Sequence, residues 1–474
     1  MTLPELINLF KPFLKPNSIL SEASDLEFFG KDSLKQFKAS PSIILLPRST
    51  EEVSQIIKIC NREQITLVPS GGRTGYSGGA TATNGEVIIS LSKMHRILEI
   101  NSVERTLHCL AGATTESIQI KARDAGLYYP VDFASRGSSS IAGNVATNAG
   151  GIRVVRYGST KEWILGLTVV TGTGEILKLN GSLYKNQSGY DLRSLFIGSE
   201  GTLGIITEVI VRLTAPPKST CLAMCAINNS EQSLKIMQEI RAAGLTINLI
   251  EYFERSALDL VINHAGLSDP FSIKASAYLA LEIEISSKED LDLYQHKLSL
   301  LIENGIISEI IIAQSSQQSA QLLALRERIS ETINKVHIPH KNDIALPLSE
   351  IPSFISELRD IQSTWNNKFE IIIFGHIGDG NLHLNVIKPE NLSVKDFFTS
   401  CSALDHKIFE LVQKHKGTIS AEHGIGLLKK DYLHYSRTEA EINLMRQIKS
   451  IFDPKGILNP GKIFDYGPVA KLSP

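Results

Sequence analysis

Pro69-Ser70-Gly71-Gly72-Arg73-Thr74-Gly75-Tyr76-Ser77-Gly78-Gly79 places five glycines directly after the β-type run Ile65-Thr66-Leu67-Val68. Glycines let successive backbone N–H groups turn towards an anion without Cβ clashes, which is how a pyrophosphate is held away from a helix terminus. The stretch has neither the G-x-G-x-x-G of a Rossmann fingerprint nor the Lys-Ser/Thr ending of a P-loop. Read alone, it suits an ordinary cluster of turns equally well.

Two further loops repeat its chemistry. Gly137-Ser138-Ser139-Ser140-Ile141-Ala142-Gly143-Asn144-Val145-Ala146-Thr147-Asn148-Ala149-Gly150-Gly151 mixes small residues with hydroxyl and amide side chains, and Gly198-Ser199-Glu200-Gly201-Thr202-Leu203-Gly204-Ile205-Ile206 does the same. Three such loops in one region point to a large ligand with phosphates, sugar-type hydroxyls and a planar ring. Around them, short β-type runs (SIILLP, EVIISL, TLHCLAG, LGLTVVTG) alternate with a helical segment near Glu51 to Arg62. Pro216-Pro217 closes the region as a linker. Beyond it, amphipathic helices expected at Ser230 to Ala243 and Ser319 to Lys335 interleave with apolar strands such as ASAYLALEIEI and FEIIIFGHIG. The expected fold is α+β, with a cofactor domain over 1–217, a substrate or cap domain over 218–425, and a C-terminal segment, 426–474, returning to the first domain.

Composition excludes several classes. The 48 Lys and Arg nearly balance the 50 Asp and Glu, so no global field draws the chain to nucleic acid. Cys60, Cys109, Cys221, Cys225 and Cys401 match no zinc or iron–sulfur spacing and read as reduced core thiols. The first twenty residues lack the features of a signal or transit peptide, and no apolar run reaches 18 residues, so a cytoplasmic protein without a transmembrane segment is expected.

The three loops in this order resemble the FAD domain of vanillyl-alcohol oxidase type flavoproteins. Arg156-Tyr157-Gly158, Lys185-Asn186-Gln187-Ser188-Gly189-Tyr190-Asp191-Leu192 and the tail Asp453-Pro454-Lys455-Gly456-Ile457-Leu458-Asn459-Pro460-Gly461-Lys462 fit the same pattern. The resemblance implies a two-domain flavoprotein holding FAD, with the pyrophosphate under the first loop. The implied cofactor residues are Pro69, Gly71, Gly72, Arg73, Thr74, Gly75, Gly78 and Gly79 in the first loop. Around the second they are Pro130, Asp132, Ser135, Gly137, Ser138, Ile141, Gly143, Asn144, Thr147, Asn148, Gly150 and Gly151, followed by Tyr157 and Gly158. The third loop supplies Glu200, Gly201, Gly204, Ile205 and Ile206, and the tail Asn459. The first loop has no His or Cys to tether a flavin, so non-covalent FAD is expected.

In the second domain, Gly375-His376-Ile377-Gly378-Asp379-Gly380-Asn381-Leu382-His383-Leu384-Asn385 sets two histidines about a tight turn, and Ser420-Ala421-Glu422-His423-Gly424-Ile425-Gly426 adds a carboxylate and an imidazole. Two His and one Glu are a competent set for Zn²⁺ or Mn²⁺ with coordination positions left open. By pattern alone a metallohydrolase fits as well, whereas His95, His108, His264 and His296 read as structural. The motifs are similar to those of the D-2-hydroxyacid dehydrogenase branch of the flavoprotein family. That resemblance implies His376, His383 and Glu422 as metal ligands and His423 as catalytic base.

Upstream, Ala324-Leu325-Arg326-Glu327-Arg328-Ile329-Ser330 and Lys341-Asn342-Asp343-Ile344-Ala345-Leu346-Pro347 resemble the segments that hold the distal carboxylate in D-2-hydroxyglutarate dehydrogenases. Helical spacing puts Arg326 and Ser330 on one face. Arg326, Ser330, Lys341 and Asn385 are thus the implied substrate residues, with Ser330 standing where those enzymes carry Thr. The expected substrate is D-2-hydroxyglutarate, with D-lactate or glycolate as the alternative on the same scaffold. With no iron–sulfur motif in the chain, an external acceptor, a quinone or an electron-transfer flavoprotein, is implied. A homodimer is allowed for.

Overall fold

Apolar β-branched runs and amphipathic helices set the architecture of the computed structural model, which describes residues 1–34, 36–365 and 369–466. The chain divides into two compact units, one made of Met1–Gly150, Ser159–Pro216 and Glu422–Pro474, the other of Gly151–Gly158 and Pro217–Ala421. The last eight residues of the expected C-terminal segment, 467–474, lie outside the described residues.

In the first unit, Val87–Ser90 is buried throughout and flanked by parallel neighbours, giving a four-stranded sheet in the order Ile19–Leu20, Ile44–Leu45, Val87–Ser90, Leu67–Ser70. Helix Thr50–Glu63 starts where Ser49 accepts the Glu52 N–H, and it buries Val53, Ile56, Ile57 and Cys60 along one stripe. A five-stranded antiparallel sheet follows, in the order Ile97–Asn101, Thr106–Leu110, Gly204–Arg212, Ile164–Thr171, Ile176–Leu179. The tail returns beside the strand that precedes the first loop: Leu67 N–H donates to Ile457 O at 2.8 Å, and Asn459 N–H to Leu67 O at 2.7 Å.

The second unit is built on one antiparallel seven-stranded sheet. Its order is Glu309–Ile312, Thr220–Ile227, Ala277–Glu284, Ile247–Glu254, Glu370–Gly375, Asn381–Ile387, Pro339–Ala345. Side chains alternate across a strand, so the register Phe253↔Phe374↔His383↔Asp343 and Ile372↔Asn385↔Lys341 puts these residues, with Glu251, on one face. Helices Ser316–Glu327 and Ile329–Val336 pack over that face through Leu325, Ile329 and Ile333.

Two sequence expectations differ from the structure. The unit boundary falls at Ala421/Glu422, before the expected 425/426, and residues 151–158 go with the second unit. Their polar side chains explain the latter: Arg153 donates to Glu282, while Arg156 and Tyr157 both bond Glu284, more than 120 residues away. The single helix expected over Ser319 to Lys335 is broken at Arg328, where ψ relaxes to −4°. Thr332 Oγ1 donates back to Arg328 O at 2.7 Å, the type of i−4 bond that bends a helix. Arg326 and Ser330 therefore sit on consecutive helices.

Candidate active site

In the first unit the three glycine loops and the tail converge. A Cβ on Gly72 would lie 2.2 Å from Ser138 O, so only glycine admits the second loop's backbone this closely, and Gly72 N–H donates to Ser140 Oγ. Glu200 N–H donates to Ala146 O at 2.8 Å, tying the third loop to the second. Asn459 Nδ2 donates to Gly79 O and Glu200 O, at 2.9 and 2.7 Å, joining the tail to the first and third loops. Asn459 Oδ1 and Ser70 Oγ, on residues only 1% exposed, have no hydrogen-bond partner among the described residues. A close-packed glycine cradle with orphaned buried polar atoms at its edge fits a long ligand rich in acceptors and hydroxyls, and FAD is such a ligand.

Several expected cofactor residues have internal work. Asn144 Nδ2 donates to Thr115 Oγ1, Asn148 Oδ1 accepts from Lys161 N–H and Ser159 Oγ, and Asp132 pairs with Arg136. Arg73 lies over the rings of Phe28 and Phe29 at 4.4 and 4.8 Å, and its backbone is left-handed with φ 59°. Tyr157, in the second unit, bonds Glu284.

His423 is also in the first unit, in a loop held by a buried carboxylate. Glu200 Oε1 accepts the Ile425 N–H at 2.7 Å and Oε2 the Gly426 N–H at 2.8 Å. Ser77 Oγ donates to His423 O, and Ser77 O accepts the Leu427 and Leu428 N–H groups. Burial raises the Glu200 carboxyl to about 7 against the opposing pull of the two N–H bonds. The His423 ring stands 5.4 Å from the Tyr76 ring, centroid to centroid, and its Nε2 is 3.8 Å from Glu422 Oε1.

In the second unit, the common sheet face gathers the remaining chemistry. Arg326 is 5% exposed, stacks over Phe374 at 4.7 Å and lies 2.7 Å from Glu251 Oε2 through Nη2. That ion pair is off hydrogen-bond alignment, since Arg326 Nε and Nη2 have no hydrogen-bond acceptor among the described residues. Lys341 Nζ donates to Ser330 Oγ at 3.2 Å, and burial pulls its ammonium down to about 8. The other Glu251 oxygen accepts from His376 Nδ1 at 2.7 Å. Asp343 Oδ1 accepts from Asn381 Nδ2 at 2.8 Å and lies 3.5 Å from His383 Nδ1, while its Oδ2 accepts the Ala421 N–H at 3.1 Å. The chain is thereby fixed at the residue before Glu422. The Gly-Asp-Gly turn between the histidines is tight because Gly380, at φ +87°, has Leu346 O 2.2 Å from where a Cβ would stand.

Sequence reasoning passed over Glu251 and Asp343. Glu251 announces itself only as an acid in the interior of the largely apolar strand Ile247–Glu254, where it is fully buried. Asp343 lies within a motif already read for Lys341.

These units have the architecture of a two-domain vanillyl-alcohol oxidase type flavoprotein. Substrate-bound p-cresol methylhydroxylase is similar, with TM-score 0.79 over 98% of this chain and 97% of that one, at 15% identity. A model of the C-terminal domain of FAD-linked oxidases matches residues 216–463, and one of an FAD binding domain matches 41–180. The chain belongs to the FAD-linked oxidases, and this membership sets aside the metallohydrolase alternative. Its curated relatives include the D-2-hydroxyglutarate dehydrogenase of Stutzerimonas stutzeri (strain A1501), 44% identical over 98% of this chain and 100% of that protein. Another, from Xanthomonas citri pv. viticola, is 44% identical over 98% of both chains. Among the described residues no helix is long and apolar enough to cross a membrane.

Proposed function

We propose that this protein is an FAD- and divalent-metal-dependent dehydrogenase that oxidises D-2-hydroxyglutarate to 2-oxoglutarate. The observation that carries the choice of substrate is the pair of buried cations on one sheet face. Two guanidinium nitrogens of Arg326, Nε and Nη2, have no hydrogen-bond acceptor among the described residues, and Lys341 donates to Ser330, on the helix that follows Arg326. A carboxylate distal to the reacting carbon complements both charges. Each charge-assisted bond is worth roughly 1.5–3 kcal/mol, so a diacid gains on the order of 10²- to 10⁴-fold over D-lactate. A monoacid has no group to reach either cation and gains none of this. The same-named relatives from two bacteria support this reading.

When bound, FAD supplies the two-electron acceptor, and a divalent metal on His376, His383 and Glu422 supplies Lewis acidity. The protein's own residues do the rest. Arg326, Ser330 and Lys341 hold the distal carboxylate, and Asn385, opposite Lys341 in the register, presents its amide to the substrate. His423 takes the hydroxyl proton, a step typically contributing about 10²- to 10⁴-fold in rate. The five cysteines are all free and buried, which suits a reducing cytoplasm. An external quinone or electron-transfer flavoprotein takes the electrons onward.

The test is anaerobic bleaching of the flavin by D-2-hydroxyglutarate, L-2-hydroxyglutarate and D-lactate, repeated after chelation and after zinc or manganese is restored. D-2-hydroxyglutarate should bleach at the lowest concentration, in a metal-dependent way. Equal bleaching by D-lactate removes the distal clamp, and indifference to chelation removes the metal.

A further inference from the structure

Glu251 has no place in the scheme above, yet it touches two residues that do. It is fully buried at the centre of the sheet face, in a strand whose other residues are apolar or aromatic apart from Asn248 and the terminal Glu254. One oxygen accepts from His376 Nδ1 and the other faces Arg326 Nη2, both at 2.7 Å. A carboxylate in this environment is held only by what it pairs with, and each partner depends on it in return.

We infer that Glu251 is a positioning residue that ties the metal-ligand end of the substrate site to its distal-carboxylate end. This rests on the reading of Arg326 and His376 given above. At His376 the carboxylate must accept, so Nδ1 carries the proton and Nε2 carries the lone pair that a metal requires. At Arg326 the contact is ionic without being an aligned hydrogen bond, so the guanidinium is held by charge while its Nε and Nη2 have no hydrogen-bond acceptor among the described residues. The same guanidinium also lies over the Phe374 ring. One rigid carboxylate thus sets the spacing between the group that meets the hydroxy-acid end and the group that meets the far carboxylate. Chain length of the substrate is measured by that spacing.

A double-mutant cycle tests this on the full-length holoprotein, with Glu251→Gln, Arg326→Met and the two combined. Two quantities are read: the ratio of kcat/KM for D-2-hydroxyglutarate to that for D-lactate, and the metal retained at equilibrium with a chelator, by elemental analysis. Glu251→Gln should lower the selectivity ratio at least tenfold and weaken metal retention about 10- to 100-fold. In the double variant the loss of selectivity should fall well short of the product of the single losses. Glu251→Asp keeps the charge but is one methylene too short to reach both partners. It should show a partial loss of both quantities, and it serves where the Gln variant does not accumulate. If Arg326→Met lowers selectivity while both Glu251 variants leave selectivity and metal unchanged, the coupling is refuted and the clamp stands. If Arg326→Met leaves selectivity unchanged, the clamp itself is refuted, and the coupling with it.

Discussion

Replacing Glu200 with Gln separates positioning from stability. The Glu200 carboxyl is raised from an ordinary 4.5 to about 7, chiefly by burial. The folded protein therefore holds this proton up to about pH 7, whereas the unfolded chain releases it near 4.5. Stability from this group is greatest below pH 4.5 and is lost as the pH rises through 7. At about 1.4 kcal/mol per pH unit, the gap amounts to about 3.5 kcal/mol against the folded state above pH 7. Gln cannot ionise, so the variant escapes that loss. Its Tm at pH 8 should equal or exceed that of the parent, with a flatter profile between pH 5 and 8.

The rate should move the other way. Glu200 accepts the Ile425 and Gly426 N–H groups with separate oxygens. Gln offers one oxygen and turns an N–H of its own towards the second donor. Losing one charge-assisted bond is worth roughly 1.5–3 kcal/mol. If that is spent on moving the loop that begins at His423, flavin reduction slows on the order of 10- to 10²-fold. Anaerobic stopped-flow at saturating D-2-hydroxyglutarate reads the rate, and the visible spectrum reads FAD content. Reduction within twofold of the parent, with FAD bound, refutes the positioning role; a variant destabilised at every pH refutes the electrostatic argument.

Lys341, drawn down to about 8 by burial, must be charged to hold a distal carboxylate. Affinity for the diacid should therefore be full below about pH 8 and fall by up to about tenfold per pH unit above it. D-Lactate binding should stay flat, and Lys341→Arg, whose side chain stays charged, should remove the fall; a matching fall with D-lactate would assign the titration elsewhere. Gly72→Ala should purify largely without FAD, because its Cβ meets backbone at Ser138 O, whereas Gly71→Ala should keep more, because it meets the rotatable Ser140 hydroxyl; equal flavin-to-protein absorbance in the two would contradict the cradle. His423→Asn should keep FAD and lose flavin reduction by about 10²-fold or more, and retention of the rate in rapid mixing would end its assignment as base.

Much of this was legible in the sequence because it lay in local patterns. Glycine runs, β-branched stretches and the two histidines about Gly378-Asp379-Gly380 state their geometry within a dozen residues. What escaped depends on long-range pairing. Nothing local tells that Arg153, Arg156 and Tyr157 will bond Glu282 and Glu284 and so take residues 151–158 into the second unit. The break at Arg328 also escaped, since a period-3.6 pattern runs through it undisturbed and only the Thr332 hydroxyl bond marks the bend.

Glu200 and Glu251 show why buried acids are the least legible residues and among the most informative. A carboxylate inside a core costs desolvation that hydrophobic residues of the same volume would not incur, so stability alone gives no reason for either. Glu200 holds backbone N–H groups at 425 and 426, and Glu251 holds an imidazole and a guanidinium. In both cases the two oxygens address two different partners, and geometry is specified where a single contact would leave a rotation free. Amide variants of such residues should therefore damage rate and selectivity well before they damage folding, and that ordering distinguishes a positioning acid from a merely structural one.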